Sequence, residues 1–147
     1  MFYIAIYTGM RISEILSLKR EDIDFENKKI YVNKTLSHVE KGRIILENTT
    51  KIYAGMRDIP MINALYDKLI EYNMNKKRGF LFTIKHSDVN TYMLRHTFAT
   101  RCIENGVNPV VLQKILGHKD IQVTLNTYTS VFNEFKENEI EKINAIF

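Results

Sequence analysis

The chain has 147 residues, the size of one ordinary domain that can bury a hydrophobic core. Hydrophobic residues make up 45% and charged residues 26% of it, which excludes a disordered or low-complexity chain. The net charge is +4, and because residues 132–147 hold four glutamates and two lysines, the remainder is more basic and favours a polyanionic partner.

The lack of a signal peptide or an apolar membrane span in the sequence, together with the single cysteine, indicates the cytoplasm. No apolar run reaches the roughly 18–20 residues that a membrane span needs. The opening MFYIAIY has no basic lead-in and no small-residue cleavage site, so it is no signal peptide. Cys102 cannot form an internal disulfide, and no cysteine or histidine grouping has zinc-finger spacing. We therefore expect a cytoplasmic protein without a structural metal.

Apolar residues at helical spacing open the chain. Residues 1–8 predict a short helix that starts without a cap, which suggests that the chain is cut from something longer. Gly9 interrupts the pattern. A second helical pattern follows, marked by Ile12, Ile15 and Leu16.

Residues 23–61 change to β-branched and aromatic residues. The segments KKIYVNKTL, GRIILEN and RDIPM, separated by turn-like EKG and YAG, predict three short antiparallel strands. Pro60 places the last strand at a sheet edge, because proline cannot donate to a ladder. An amphipathic helix follows and ends before the basic residues 76–79. Its apolar face holds Ile62, Leu65, Tyr66, Leu69 and Ile70.

The rest of the chain predicts helices with local start and stop signals. One helix ends at residues 105–106, an Asn-Gly pair, and the next begins at residues 108–109, an Asn-Pro pair. Gly117 ends that second helix, and Asp120 caps a third. The first helix carries the apolar stripe Leu94, Phe98 and Cys102.

These patterns predict a single domain, residues 1–147, of the α+β class. It is mainly helical, with helices around a small three-stranded antiparallel sheet. Residues 132–147 predict an acidic tail helix with an imperfect apolar stripe.

Three segments concentrate residues suited to phosphodiester chemistry. Arg11 and Arg95 fall near helix starts, where an arginine fork can hold two phosphate oxygens. His118 follows another helix, and Tyr128 comes ten residues later; a tyrosine becomes a nucleophile only beside a base or a strongly positive field. The segments are TGMRISEIL (8–16), LRHTFATR (94–101) and LGHKDIQVTLNTY (116–128).

In this order, the segments resemble the motifs of the tyrosine recombinases, the phage-integrase family that includes integrases of conjugative transposons. The resemblance runs from Phe2 to about Ser130. It implies the catalytic core of a DNA breaking-rejoining enzyme. The family's N-terminal domain, which helps to clamp DNA, is absent from the match.

The resemblance also implies roles for individual residues. Arg11 and Arg95 would grip the scissile phosphate and stabilise its pentacoordinate transition state, with His118 as a third donor. Lys51 would protonate the departing 5′ oxygen. Tyr128 would attack and form a 3′-phosphotyrosyl link. Neither a metal nor another cofactor is implied, because the cations are side chains.

Two departures from the family pattern affect this site. Tyr92 stands where the family usually has a histidine three residues before the second arginine, and a tyrosine is a poor proton acceptor at pH 7. Only nine residues separate Phe82 from Tyr92, where relatives usually carry an additional helix. We therefore expect these departures to lower the catalytic activity of the site and not to abolish it.

Other basic and aromatic residues have plainer interpretations. Lys41, Arg43 and Arg57 are predicted to be surface charges. His96 is predicted to face away from the chemistry into packing or a backbone hydrogen bond. Tyr128 itself has an alternative as a packed tyrosine. The resemblance makes Glu14 an acid that supports the first arginine, and Cys102 is predicted to be a small buried residue.

The sequence thus predicts a site-specific DNA recombinase that integrates or excises a mobile element. The alternatives are a type IB topoisomerase-like nicking and closing enzyme and a non-catalytic DNA-binding fragment of a decayed integrase. A two-metal nuclease is excluded, because the acidic residues do not group around the basic ones. The expected partners are double-stranded DNA and further copies of the chain, assembled as a tetramer through residues 132–147. The alternative for this tail is that its apolar stripe packs back on the core of its own chain.

Overall fold

The computed structural model describes residues 1–40, 43–48, 56–73, 79–82 and 91–129. Two short helices open the chain, α1 (Phe2–Thr8) and α2 (Ile12–Ser17), followed by a 3₁₀ turn (Arg20–Asp22). Gly9 ends α1 in the left-handed conformation, with φ of 62°, as the break in the sequence pattern predicts.

Within the residues that the structure describes, five short strands form two antiparallel sheets. They are β1 (Ile23–Asp24), β2 (Lys29–Val32), β3 (Lys34–Glu40), β4 (Arg43–Asn48) and β5 (Arg57–Pro60). The order β1-β2-β5 gives a three-stranded sheet, while β3 and β4 pair separately.

The fold class is confirmed, but the strand boundaries differ from the prediction. A break at Asn33 divides the first predicted strand into β2 and β3. β1 has only two residues, too few to show an alternating pattern. Pro60 does end the outer strand of the described three-stranded sheet.

Four helices complete the described chain: α3 (Asn63–Asn73), α4 (Thr91–Glu104), α5 (Pro109–Leu116) and α6 (Ile121–Thr127). The predicted caps are confirmed. The Asn108 side chain accepts from the backbone N–H of Val110 at 2.8 Å, and Asp120 accepts from that of Gln122 at 2.9 Å. The predicted tail helix at 132–147 lies outside the described residues.

The buried side chains of the described residues form two hydrophobic clusters. The first joins α1, α2, α3 and the three-stranded sheet, and the second joins α4 and α5 to Tyr128. Gly9 lies at the contact between them: a Cβ there would stand 2.5 Å from Phe98 and 2.8 Å from Leu116. Within the described ranges, no helix is long and apolar enough to cross a membrane.

Candidate active site

The carboxyl end of α5 holds three arginine side chains together. Each arginine donates to one of the carbonyl oxygens at the end of α5. Nε of Arg57 donates to the first of them at 2.6 Å, and Nη2 of Arg95 donates to the second at 2.8 Å. Nη2 of Arg11 donates to the third at 3.2 Å. The last carbonyls of a helix lack partners within it and form the negative end of its dipole, so they suit cations. The carbonyls belong to Ile115, Leu116 and Gly117.

Arg11 is the arginine that faces outward. It precedes α2, and its side chain is 42% exposed. Glu14 holds it from behind: one carboxylate oxygen accepts from Nη1 at 2.9 Å and the other from the Arg11 backbone N–H at 2.8 Å. Glu14 thus occupies the supporting position that the resemblance implies, and the guanidinium keeps an open side for an anion.

Arg57 is not a surface charge, and that prediction was wrong. Its side chain is only 7% exposed and pairs with both carboxylate oxygens of Glu14, at 3.0 and 2.9 Å. Along β5 it shares a face with the buried Ile59, a period-two signal that could have identified it. Lys41 and the side chain of Arg43 lie outside the described part of the chain.

Glu14 remains ionised between the two arginines. Burial alone would raise the pKa of its carboxyl group, but the hydrogen bond and charge of Arg57, and then those of Arg11, lower the pKa below its ordinary value. Arg57, which the sequence predicts as a surface charge, is therefore the principal partner of the acid that supports Arg11.

Arg95 is buried in the wall of the site. Its side chain donates from Nη1 to the carbonyl oxygen of Gly9 at 2.7 Å and from Nη2 to that of Leu116. Burial, followed by the charge of Arg11, lowers its pKa to about 10. The guanidinium is still charged at neutral pH.

His118 lies between Arg95 and α6. Its Nε2 is 2.9 Å from Nη2 of Arg95, and its Nδ1 is 2.8 Å from Oγ1 of Thr124. Burial, followed by the charges of Arg95, Arg11 and Arg57, lowers its pKa to about 4, so the imidazole is neutral at pH 7. Because arginine can only donate, Nε2 accepts and the proton resides on Nδ1.

Tyr128 caps α6 and packs into the second hydrophobic cluster, where it is 3% exposed. Its ring stacks on that of His96, with centroids 5.1 Å apart. Burial raises the pKa of its hydroxyl, and the charge of Arg95 only partly opposes this. The structure therefore shows the packed alternative for Tyr128. His96, predicted to face away from the chemistry, is instead an exposed residue that stacks on the ring of the predicted nucleophile.

A cleft of about 560 Å³ opens between β5 and the end of α5, beside the arginine cluster. Arg57, Gly117 and His118 form part of its lining, and Lys114 and Lys119 add further positive charge. In the described part of the chain, no three His, Cys, Asp or Glu side chains are grouped to hold a metal ion.

The sequence matches the phage integrase family over residues 1–90 and 63–134. The chain belongs to this family. It is 36% identical to tyrosine recombinase XerA of Saccharolobus solfataricus over 92% of this chain and 46% of that protein. It is 31% identical to the transposase from transposon Tn916 of Enterococcus faecalis over 96% of this chain and 44% of that protein.

Solved structures support the same family. The Tn1549 transposon integrase in complex with circular intermediate DNA is 29% identical, with a TM-score of 0.76, over 86% of this chain and 53% of that one. This chain spans about half the length of the curated relatives it matches.

Three of the predicted integrase residues come together in space: Arg11, Arg95 and His118 all meet at the end of α5. Tyr92, one turn before Arg95 on α4, is 72% exposed. Lys51 and the short connection before α4 lie outside the described residues.

Proposed function

We propose that residues 1–147 are the catalytic domain of a site-specific DNA recombinase that integrates or excises a mobile element. The observation that carries this proposal is the convergence of Arg11, Arg95 and His118 on one helix end. A scissile phosphate placed against the open side of Arg11 would meet both guanidiniums. Their fixed positive charge stabilises the pentacoordinate transition state, in which negative charge on the phosphoryl oxygens increases.

The reaction has two reversible halves. The Tyr128 hydroxyl loses its proton to solvent, and its oxygen attacks phosphorus and forms a 3′-phosphotyrosyl bond, while the bond from phosphorus to the 5′ oxygen breaks. Lys51 donates a proton to that departing oxygen. The 5′ hydroxyl of another strand then reverses the step, so no ATP is consumed. The arginine cations supply the positive charge at the phosphate that metal ions supply in metal-dependent nucleases.

The packed position of Tyr128 requires a movement before attack. A phosphodiester cannot reach a hydroxyl in an apolar cluster where the residue is 3% exposed, and burial also keeps that hydroxyl protonated. DNA binding therefore has to draw the end of α6 out of the second cluster. The raised pKa of Tyr128 then falls as the ring leaves that cluster and approaches the arginines.

Double-stranded DNA is the proposed substrate and the cytoplasm the proposed location, and the basic body of the chain fits a polyanion. Self-association into a tetramer would use residues 132–147. Deleting these residues should reduce the size of the assembly on DNA, as measured by light scattering. An unchanged size would assign assembly to another surface.

Covalent trapping tests the catalytic proposal without knowledge of the target sequence. The probe is a pool of nicked duplexes randomised around the nick, and adducts are recovered under denaturing conditions. We expect a covalent adduct that EDTA does not affect and that Tyr128→Phe abolishes. The control is Tyr31→Phe, which changes an exposed tyrosine on β2 and should leave the adduct intact.

The non-catalytic alternative has its own support in Tyr92, which replaces the family histidine, and in the buried Tyr128. Retarded duplexes without any adduct from the unmodified chain would favour that alternative. An adduct that persists in Tyr128→Phe would place the nucleophile elsewhere, and strict magnesium dependence would exclude the recombinase mechanism.

A further inference from the structure

Thr124 is a fully buried polar residue beside the candidate site. It is 0% exposed, and its Oγ1 lies 2.8 Å from Nδ1 of His118. Thr124 and Tyr128 are one turn apart on the same side of α6, so this contact also connects His118 to the helix that ends in the proposed nucleophile.

The hydrogen bonds of His118 define its tautomer in the free protein. Nε2 accepts from Arg95, so Nδ1 carries the proton and donates to Thr124. In this tautomer Nε2 has no hydrogen to offer to a phosphate. Donation to phosphate from a neutral His118 requires the other tautomer, in which Nδ1 becomes an acceptor and needs a donor of its own.

A threonine hydroxyl can serve both tautomers, because it accepts through its lone pairs and donates through a hydrogen that rotates. We propose that Thr124 is a positioning residue that switches His118 between these tautomers. Its hydroxyl accepts from Nδ1 in the free protein and donates to Nδ1 when Nε2 donates to the scissile phosphate.

The exchange keeps the imidazole neutral. One proton leaves Nδ1 and one is taken up at Nε2 from solvent, while the Thr124 hydroxyl rotates. The alternative is a doubly protonated imidazolium, which burial and then the charges of Arg95, Arg11 and Arg57 disfavour by lowering the pKa of His118. This inference depends on the proposed function, because it assumes that His118 serves a phosphate.

The first test is the ¹⁵N NMR spectrum of the His118 ring, with inorganic sulfate as the stand-in for phosphate. We expect the Nδ1–H tautomer in the free chain and a shift to Nε2–H with sulfate, both in the unmodified chain and in Thr124→Ser. Thr124→Val keeps the shape but removes the hydroxyl, so sulfate should no longer produce the shift. Thr127→Val, an exposed threonine on α6, is the control.

The second test is the rate of adduct formation on the nicked duplex pool. Thr124→Val should lower it by up to about 10²-fold, the lower end of what loss of one preorganised donor costs, and Thr124→Ser should restore it. A normal tautomer response in Thr124→Val, or a loss that Thr124→Ser does not restore, would overturn the proposal. If the unmodified chain forms no adduct, the proposed function fails, while the sulfate spectra still decide the role of Thr124.

Discussion

The charge balance of the site depends on one buried carboxylate. Glu14 is 3% exposed and is shared between Arg57, which is buried, and Arg11, which is open to solvent. A carboxylate that accepts two parallel hydrogen bonds from one arginine is well oriented. Arg57 therefore acts on Arg11 through Glu14 without lying on the open side of the site.

Replacing Arg57 tests this arrangement. Arg57→Gln leaves Glu14 buried with a weaker partner, so the free energy of unfolding should fall by about 3–5 kcal/mol, the usual cost of breaking a buried ion pair. Urea titration measures this. Arg57→Lys should recover part of the loss, because lysine restores the charge but not the fork.

The neighbouring pair of Lys29 and Asp58 offers a matched control. It joins β2 to β5, the strand that carries Arg57, at 2.7 Å, but its side chains are 41% and 50% exposed. Lys29→Gln should therefore cost only about 0–1 kcal/mol. Equal losses in Arg57→Gln and Lys29→Gln would contradict the buried role of Arg57.

At the scale of elements, the junction after α1 joins the two hydrophobic clusters. Gly9 has a positive φ, approaches Phe98 and Leu116 closely, and accepts the hydrogen bond from Arg95. Conformation, packing and a site contact therefore depend on one residue without a side chain.

Gly9→Ala should be strongly destabilising. The left-handed conformation costs an alanine about 1–2 kcal/mol, and overpacking against Phe98 and Leu116 adds about 1–3 kcal/mol. Gly106→Ala is the control: Gly106 has φ of 74°, but a Cβ added there would meet nothing within 4 Å, so only the conformational cost applies. Thermal unfolding of both variants measures the difference, and similar losses would show that the close approach has no effect.

How far the sequence predicted each element depends on how local its determinants are. The caps at Asn108, Gly117 and Asp120 bond within their own helices, so a short window of sequence contains the whole signal. Division of the strands between two sheets depends on pairing between distant segments, and no short window contains it.

The same distinction applies to the site. Arg11, Arg95 and His118 stand in recognisable motifs and are found together in the structure. Arg57 is buried because Glu14, 43 residues earlier, lies opposite it, and a surface interpretation of an isolated arginine cannot include that partner. The packing of Tyr128 likewise follows from the fold around it.

For the whole molecule, the lowered pKa values of His118 and Glu14 make the free energy of unfolding depend on pH. The folded pKa of His118, about 4, lies below its ordinary value of 6.5, so between these values the unfolded chain binds more protons than the folded one. Stability should therefore be fully present above about pH 6.5 and fall as the pH approaches 4. Glu14, whose folded pKa is also lowered, removes further stability as the pH falls below the ordinary value of a glutamate.

Urea unfolding at a series of pH values measures this dependence. His118→Gln should flatten the curve between about pH 6.5 and 4 and leave the steeper loss in stronger acid, where Glu14 acts. An unchanged slope in His118→Gln would mean that the pKa of His118 is the same in the folded and the unfolded chain.

Main-chain oxygen atoms bind all three arginines at the end of α5. Whatever codons replace those for Ile115 and Leu116, the new residues still present a carbonyl in the same place, provided that the helix forms. Point mutation can therefore remove an arginine but cannot remove its acceptor. In a lineage that accumulates substitutions, the acceptor oxygens are therefore inherited with the helix itself. A copy that has lost one arginine can recover the site by a single reversion.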